Sequence, residues 1–184
     1  ALELRKQSLG EAHPDVANSM NNIGTTYFEQ GKYAEALDFQ QKALELRKQS
    51  LGEAHPYVAN SMYNIGGTYF AQGKFAESLK NQKEALLLLR RSLGEDQPNT
   101  GHARFNIGRT YLKLNDARQG WKELQQGVKI LKAGLGVGHP DTINLVKALV
   151  VLGHQHGGSL IAQQILAEIL AELPPEHPQR AELE

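Results

Sequence analysis

Cysteine is absent from this sequence of 184 residues, which excludes disulfide bonds and any metal site or nucleophile that uses a thiolate. No apolar run approaches the roughly 18 residues of a membrane span, and no basic-then-apolar leader stands at the N-terminus. An excess of charge is also lacking, because 20 basic side chains balance 20 acidic ones. We therefore expect no bulk attraction to nucleic acid or to an anionic membrane, and we predict a cytoplasmic location.

The sequence also lacks the motifs that common enzymes use. It contains no nucleophile elbow, phosphate-binding glycine loop or helical zinc-protease motif. His154 and His156 would point to different faces of a helix, which disfavours a metal site. Four other histidines recur because a His-Pro turn recurs, namely His13, His55, His139 and His177. We predict a protein that is not an enzyme and that holds no metal or cofactor.

What the sequence does contain is a repeat of 42 residues. Residues 9–50 and 51–92 share 28 identities in 42 positions without a gap. The phase continues through Pro98 and Pro140, and a shortened copy ends in His177-Pro178. A period between 20 and 50 residues predicts an array of stacked units. Such arrays present binding surfaces more often than catalytic pockets.

Each copy contains two helical patterns. In the first pattern Val16, Met20, Ile23 and Tyr27 form one apolar stripe at helical spacing. A proline precedes each stripe, where it suits the first helical turn. Each first helix is expected to end at a residue that tolerates a left-handed backbone: Gly31, Gly73, Asn115 and Gly157. The second helices are predicted at residues 33–50, 75–92, 117–133 and 159–172, so the fold is predicted to be all-α.

The period also predicts how the chain is divided. Residues 1–8 read as the tail of a second helix from a truncated repeat. Repeats 1 to 4 are predicted at 9–50, 51–92, 93–134 and 135–172, the fourth being degenerate. Residues 173–184 are predicted to hold a linker and the start of a further helix. This division makes the chain resemble a segment of a longer array.

The order of residues within each copy resembles the tetratricopeptide repeat. The positions that carry the resemblance are Ile23-Gly24, Tyr27, Gly31, Tyr33, Ala36 and Ala43, and their equivalents 42 residues later. The fourth copy departs from the pattern, with Gly153 where a tyrosine belongs. The long period and the Leu-Gly-x-x-His-Pro linker are similar to the repeats of kinesin light chains. The resemblance implies a right-handed superhelical solenoid of antiparallel helix pairs, whose first helices line a concave, peptide-binding groove.

A polar stripe lies opposite the apolar stripe of each first helix. Asn22, Asn64 and Asn106 stand in register, as do Asn18 and Asn60, and Asn144 recurs in the fourth copy. An amide offers both donors and an acceptor, so it can bind the backbone of an extended peptide. The resemblance implies this role for an asparagine at the position of Asn22. Two alternatives remain, namely that these amides bond the neighbouring repeat or were merely copied by duplication.

The third and fourth copies differ at the positions where groove specificity is expected. His102, Arg109 and Lys113 replace Asn18, Thr25 and Glu29, and Lys147 replaces Asn21. A basic end fits an acidic side chain or a C-terminal carboxylate of a ligand, although a solvated charged face fits equally. Tyr63 is expected either to line an apolar subpocket or to pack between repeats. The candidate peptide-binding residues are Asn18, Asn22, Asn60, Tyr63, Asn64, His102, Asn106, Arg109, Lys113, Asn144 and Lys147.

One residue does not fit the apolar stripe. Arg104 stands where Met20 and Met62 stand, so either its stem is buried with its head at the surface or the third repeat is distorted. The leading hypothesis for function is a scaffold that binds a protein or peptide segment in the groove. The alternatives are a self-associating spacer, or a regulatory module of a larger protein.

Overall fold

The computed structural model describes residues 2–184, and within them the regular structure is entirely helical. Two compact units divide the chain, an N-terminal unit Ala1–Leu93 and a C-terminal unit Gly94–Glu184. The helices are α1 Leu2–Leu9, α2 Pro14–Glu29, α3 Tyr33–Leu51, α4 Pro56–Ala71, α5 Phe75–Leu93, α6 Pro98–Lys113, α7 Ala117–Leu135, α8 Pro140–His156 and α9 Ser159–Glu172. A single 3₁₀ turn, Arg180–Glu182, stands where the sequence predicts the start of a further helix.

The helices form antiparallel pairs, one pair within each predicted repeat. The four second helices begin at the predicted residues and end within two residues of the predicted ends. Pairs α2/α3 and α4/α5 belong to the N-terminal unit, and pairs α6/α7 and α8/α9 belong to the C-terminal unit. No helix of the described chain is long and apolar enough to cross a membrane.

The His-Pro linkers begin the first helices. His13, His55 and His139 are the N-cap residues, and the Nδ1 of each accepts a hydrogen bond of 3.2 Å from the backbone N–H two residues later. An N-cap side chain satisfies a backbone donor that the helix leaves unpaired. In the third repeat Gln97 is the N-cap residue and makes no such bond. The linker histidines therefore have a structural role.

The turns between paired helices need a left-handed backbone. A residue within two positions of the end of each first helix has a positive φ, 74° at Gly31, 75° at Gly73, 61° at Asn115 and 71° at Gly157. Glycine adopts this conformation without steric cost, and asparagine is the next most tolerant residue. The predicted turn positions are confirmed.

Small residues let the paired helices approach closely in the N-terminal unit. Ala36, Ala43, Ser78 and Ala85 are fully buried on the second helices. A Cβ on Gly24 of α2 would lie only 2.9 Å from Gln40 Cγ. An apolar cluster of Leu37, Leu44, Val58 and Ile65 completes the core of this unit.

The C-terminal unit uses glycines on both helices of a pair. A Cβ on Gly101 of α6 would lie 2.1 Å from Leu131 Cδ1 and 3.0 Å from the carbonyl oxygen of Gly127 on α7. A Cβ on Gly158 would lie 1.9 Å from Trp121 Cζ2. Since a protein interior cannot accommodate such overlaps, these positions require glycine. A continuous apolar core that includes Trp121 runs through α6 to α9.

Arg104 is accommodated without distortion, because α6 is continuous through it. Its side chain is 15% exposed, and its guanidinium pairs with Glu95 and, at 2.6 Å, with Glu123. Burial by itself would lower the pKa of Arg104, but the hydrogen bonds and charges of the two carboxylates outweigh burial and raise it. The stem is thus buried, as one of the two sequence interpretations proposes, but the head is ion-paired with two carboxylates where that interpretation placed it at the surface.

Candidate functional site

The predicted peptide-binding residues all lie on first helices, two on α2, three on α4, four on α6 and two on α8. The exposed members are Asn22, Asn60, Arg109, Lys113 and Asn144. The half-buried members are Asn18, Tyr63, Asn64, His102, Asn106 and Lys147. The structure therefore places the whole set on first helices. The hydrogen bonds separate the residues that bond another helix from those that do not.

Two of the predicted amides bond neighbouring helices in the N-terminal unit. Asn64 Nδ2 donates to Asn21 Oδ1 at 3.1 Å, which joins α4 to α2. Asn18 Oδ1 accepts from Arg47 Nη2 at 2.8 Å, which joins α2 to α3. The Asn64 bond joins repeat 2 to repeat 1, as the inter-repeat alternative expects, whereas the Asn18 bond lies within repeat 1. The Asn22 and Asn60 side chains, by contrast, are exposed and make no hydrogen bond within residues 2–184.

A buried arginine that sequence reasoning missed organises the same unit. Arg47 on α3 donates through Nη1 to Ser61 Oγ at 2.7 Å and to the Tyr57 carbonyl at 3.1 Å. Burial lowers its pKa, and Tyr57 offsets part of that shift. Arg5 repeats the contact 42 residues earlier, donating to Ser19 Oγ at 2.6 Å. The sequence signal for this contact was an arginine conserved between the two copies, at positions 5 and 47, 42 residues apart.

A cavity of about 200 Å³ opens beside the amides in the N-terminal unit. Its lining comes from α2, α3 and α4: Thr25, Phe28, Gln40, Tyr63, Asn64, Gly67 and Thr68. Gly67 leaves one wall open, since a Cβ there would meet no atom within 4 Å. At the base, Thr68 Oγ1 donates to Gln40 Oε1 at 2.8 Å. Tyr63 is one of the two aromatic residues in this lining.

The first helices of the C-terminal unit are more charged. His102 Nε2 lies 3.5 Å from Asp141 Oδ2, which places α6 beside α8. Asn106 Oδ1 accepts from Arg109 Nη1 at 3.3 Å. Lys147 forms an ion pair with Glu182, so its charge is already compensated. Arg109 and Lys113 are the exposed basic residues of the predicted set.

Two larger clefts lie mostly along second helices. One of about 580 Å³ is lined by residues such as Lys6, Gln41 and Leu46. The other, of about 520 Å³, is lined by residues such as Gln125, Lys132 and Ile165. Neither contains a predicted site residue. Among the residues that the structure describes, no group of three or more histidine, aspartate or glutamate side chains is placed to hold a metal ion.

Comparisons with known proteins agree with this architecture. The sequence model of the tetratricopeptide repeat family matches residues 1–49, 27–86 and 57–133. No curated protein sequence matches the chain.

Solved structures give the same fold. A kinesin-light-chain-like protein of Podospora anserina with nearly identical TPR-like repeats is 20% identical, with a TM-score of 0.78 over 93% of this chain and 83% of that one. BtubC (BKLC) of P. vanneervenii is 15% identical, with a TM-score of 0.75 over 98% and 72%. The N-terminal domain of stress-induced protein-1 of C. elegans is 19% identical, with a TM-score of 0.55 over 73% and 94%. The fold is thus an all-α solenoid of helix pairs.

Proposed function

Because this chain belongs to the tetratricopeptide repeat family, a fold that typically serves as a non-enzymatic scaffold for protein partners, we propose that its first helices bind an extended partner segment. The observation that carries this proposal is the pair of exposed amides, Asn22 on α2 and Asn60 on α4, that no residue of the described chain engages. Asparagine is only a middling helix former. Two exposed asparagines that make no hydrogen bond within the described chain are therefore better explained by binding than by helix stability.

The bonded amides also keep hydrogen-bonding capacity. The single bond between Asn64 and Asn21 uses one donor and one acceptor. It leaves Asn21 Nδ2 and Asn64 Oδ1 without a partner in the described residues. Neither atom is fully buried, so both are accessible to a ligand. A donor and an acceptor side by side match the C=O and N–H groups of an extended backbone. A 16-residue helix is about 24 Å long, which leaves room for several ligand residues.

In the C-terminal unit the proposal includes a charged ligand residue. Arg109 and Lys113 are exposed on one first helix. A carboxylate, either an acidic side chain or a C-terminus, would form charge-assisted hydrogen bonds with them. We expect this contribution to decline as salt rises, because exposed charges are screened.

The test starts from a pool of random heptapeptides, from which binders are selected and then measured by fluorescence polarisation. We expect the Asn22→Ala/Asn60→Ala variant to bind selected peptides about 30-fold more weakly, since it loses two backbone contacts of roughly 1 kcal/mol each. The matched control is Gln126→Ala/Gln164→Ala, which removes two exposed amides from second helices. Equal affinity in wild type and the asparagine variant, or an equal loss in the control, would refute the proposal.

Self-association is a second candidate function, favoured by two exposed aliphatic side chains in the C-terminal unit. Val151 is 53% exposed and Leu160 is 70% exposed. Sedimentation velocity over a hundred-fold concentration range tests it. If these side chains form an interface, wild type will show a larger species at high concentration and Val151→Lys/Leu160→Lys will not.

A further inference from the structure

The cavity that α2, α3 and α4 line contains a buried amide, that of Gln40, whose nitrogen makes no hydrogen bond with the described residues. Gln40 is 2% exposed and lines the cavity. Its Oε1 accepts from Thr68, whereas its Nε2 makes no hydrogen bond with any described residue. Gln40 Nε2 is not one of the fully buried polar atoms that lack a partner. It is therefore accessible to solvent, which reaches it through the cavity. A buried donor left open to a cavity is a place for an acceptor on a ligand.

An acceptor in the same lining complements this donor. Asn64 lines the cavity too; its Nδ2 donates to Asn21, and its Oδ1 accepts no hydrogen bond from a described residue. The remaining lining consists of Phe28, Tyr63, two threonines and Gly67, none of them cationic. The cavity therefore offers one donor and one acceptor between aromatic walls, with no charge to balance a buried carboxylate.

From this geometry we infer that the cavity recognises a carboxamide side chain, glutamine or asparagine, of the extended segment bound by the first helices. This inference rests on the proposed function. The ligand carbonyl accepts from Gln40 Nε2 and the ligand amide donates to Asn64 Oδ1. Turning the Gln40 amide around would exchange its donor for an acceptor, and a carboxamide, which has both, would still be bound. At about 30 Å³ per water the cavity holds roughly six waters, the room that one such side chain needs.

The two isosteric competitors are disfavoured for different reasons. A glutamate carboxylate would be desolvated without a cation and would face the Asn64 oxygen. A leucine would cover the Gln40 donor and the Asn64 acceptor without bonding either. A site with buried polar groups rejects ligands that leave those groups unpaired.

Gly67 controls access to this cavity. At the equivalent position 42 residues earlier α2 has Thr25, and 42 residues later α6 has Arg109. A Cβ on Gly67 would meet no atom of a neighbouring helix within 4 Å, so we expect a side chain there to extend into open space without disturbing the fold. Glycine is also the poorest ordinary helix former. A substitution at Gly67 should therefore preserve or raise stability while it fills the cavity, which separates binding from folding.

The test uses four pools of acetylated and amidated heptapeptides with a fixed central residue, Gln, Asn, Glu or Leu. The flanking positions are random but omit those four residues and Asp. We expect wild type to bind the Gln or Asn pool about ten-fold better than the Glu and Leu pools. Gly67→Thr should abolish this preference without lowering the urea midpoint.

Gln40→Leu is the second variant, and it should remove the preference for a carboxamide over Leu. Leucine is tolerated at this position, because Leu124 occupies it in the third repeat, with its Cγ 2.7 Å from the Cβ position of Gly108. If wild type binds all four pools equally, but better than Asn22→Ala/Asn60→Ala does, the carboxamide inference is wrong and the proposed function stands. If no pool binds wild type better than that asparagine variant, both fail.

Discussion

The N-terminal and C-terminal units join their helices by different chemistry. In the N-terminal unit Arg47 bonds Asn18 and Ser61, and Gln40 bonds Thr68. In the C-terminal unit, 84 residues later, Leu131 stands at the position of Arg47 and Leu124 at the position of Gln40. Both leucines are fully buried. Gln40 and Asn64 line a cavity where their amides can bind a ligand, whereas a leucine at the position of Gln40 offers no hydrogen bond. The comparison therefore teaches why the better candidate site lies in the N-terminal unit.

The largest expected effect breaks the close packing of the C-terminal unit. Gly158→Ala places a methyl group 1.9 Å from the Trp121 ring, so we expect the free energy of unfolding to fall by about 3 kcal/mol. Urea denaturation followed by fluorescence of Trp121, the sole tryptophan, measures the change. Gly67→Ala is the matched control and should be stabilising by up to about 1 kcal/mol. A Gly158→Ala variant as stable as wild type would show that the Trp121 side chain can move aside at little cost in free energy.

The next effect concerns the polar junction of the N-terminal unit. Arg47→Ala removes the partner of Asn18 Oδ1 and of Ser61 and opens a cavity, so we expect a loss of about 2 kcal/mol. Arg47→Leu/Ser61→Ala refills the cavity and replaces both ends of the Arg47–Ser61 contact with apolar groups, so it should recover most of the loss, while Asn18 Oδ1 still lacks Arg47. Hydrogen exchange of α4 amides reports on this junction. A double variant as unstable as Arg47→Ala would mean that the polar contact cannot be replaced by an apolar one.

These two effects show what could and could not be predicted from sequence. The helices follow from prolines and turn glycines that recur every 42 residues, since both act locally. The Gln40–Thr68 and Asn64–Asn21 bonds join residues 28 and 43 positions apart, and their partners depend on how helices pack. The cavity depends on the missing side chain of Gly67, which leaves no pattern in the sequence.

Arg104 is a smaller test of how the units differ. Arg104→Met restores the residue of repeats 1 and 2 but leaves Glu123, whose side chain is 16% exposed, without its cation. We expect a loss of about 1–2 kcal/mol. Arg104→Met/Glu123→Asn reproduces the combination of Met62 and Asn81 in repeat 2 and should recover most of it. A double-mutant cycle by urea denaturation gives the coupling, and a value near zero would contradict the importance of the ion pair.

The smallest effect compares linkers. His55→Ala removes the N-cap bond to the Tyr57 N–H and should cost about 1 kcal/mol, whereas His55→Asn should be nearly neutral. In the C-terminal unit Gln97 lacks a cap bond, so Gln97→Asn should add a few tenths of a kcal/mol to about 1 kcal/mol. Thermal denaturation by circular dichroism measures both. If Gln97→Asn lowers the melting temperature, side-chain capping is not what distinguishes these linkers.

The most direct test of the central claim, that first helices bind the partner segment, is a ¹H–¹⁵N spectrum of the labelled chain titrated with the selected heptapeptides. The side-chain NH₂ signals of asparagine and glutamine give a reporter on every relevant surface. Our account predicts that the signals of Asn22, Asn60 and Gln40 shift on titration. Shifts confined to Gln41 and Gln125, which line the clefts of the second helices, would contradict it.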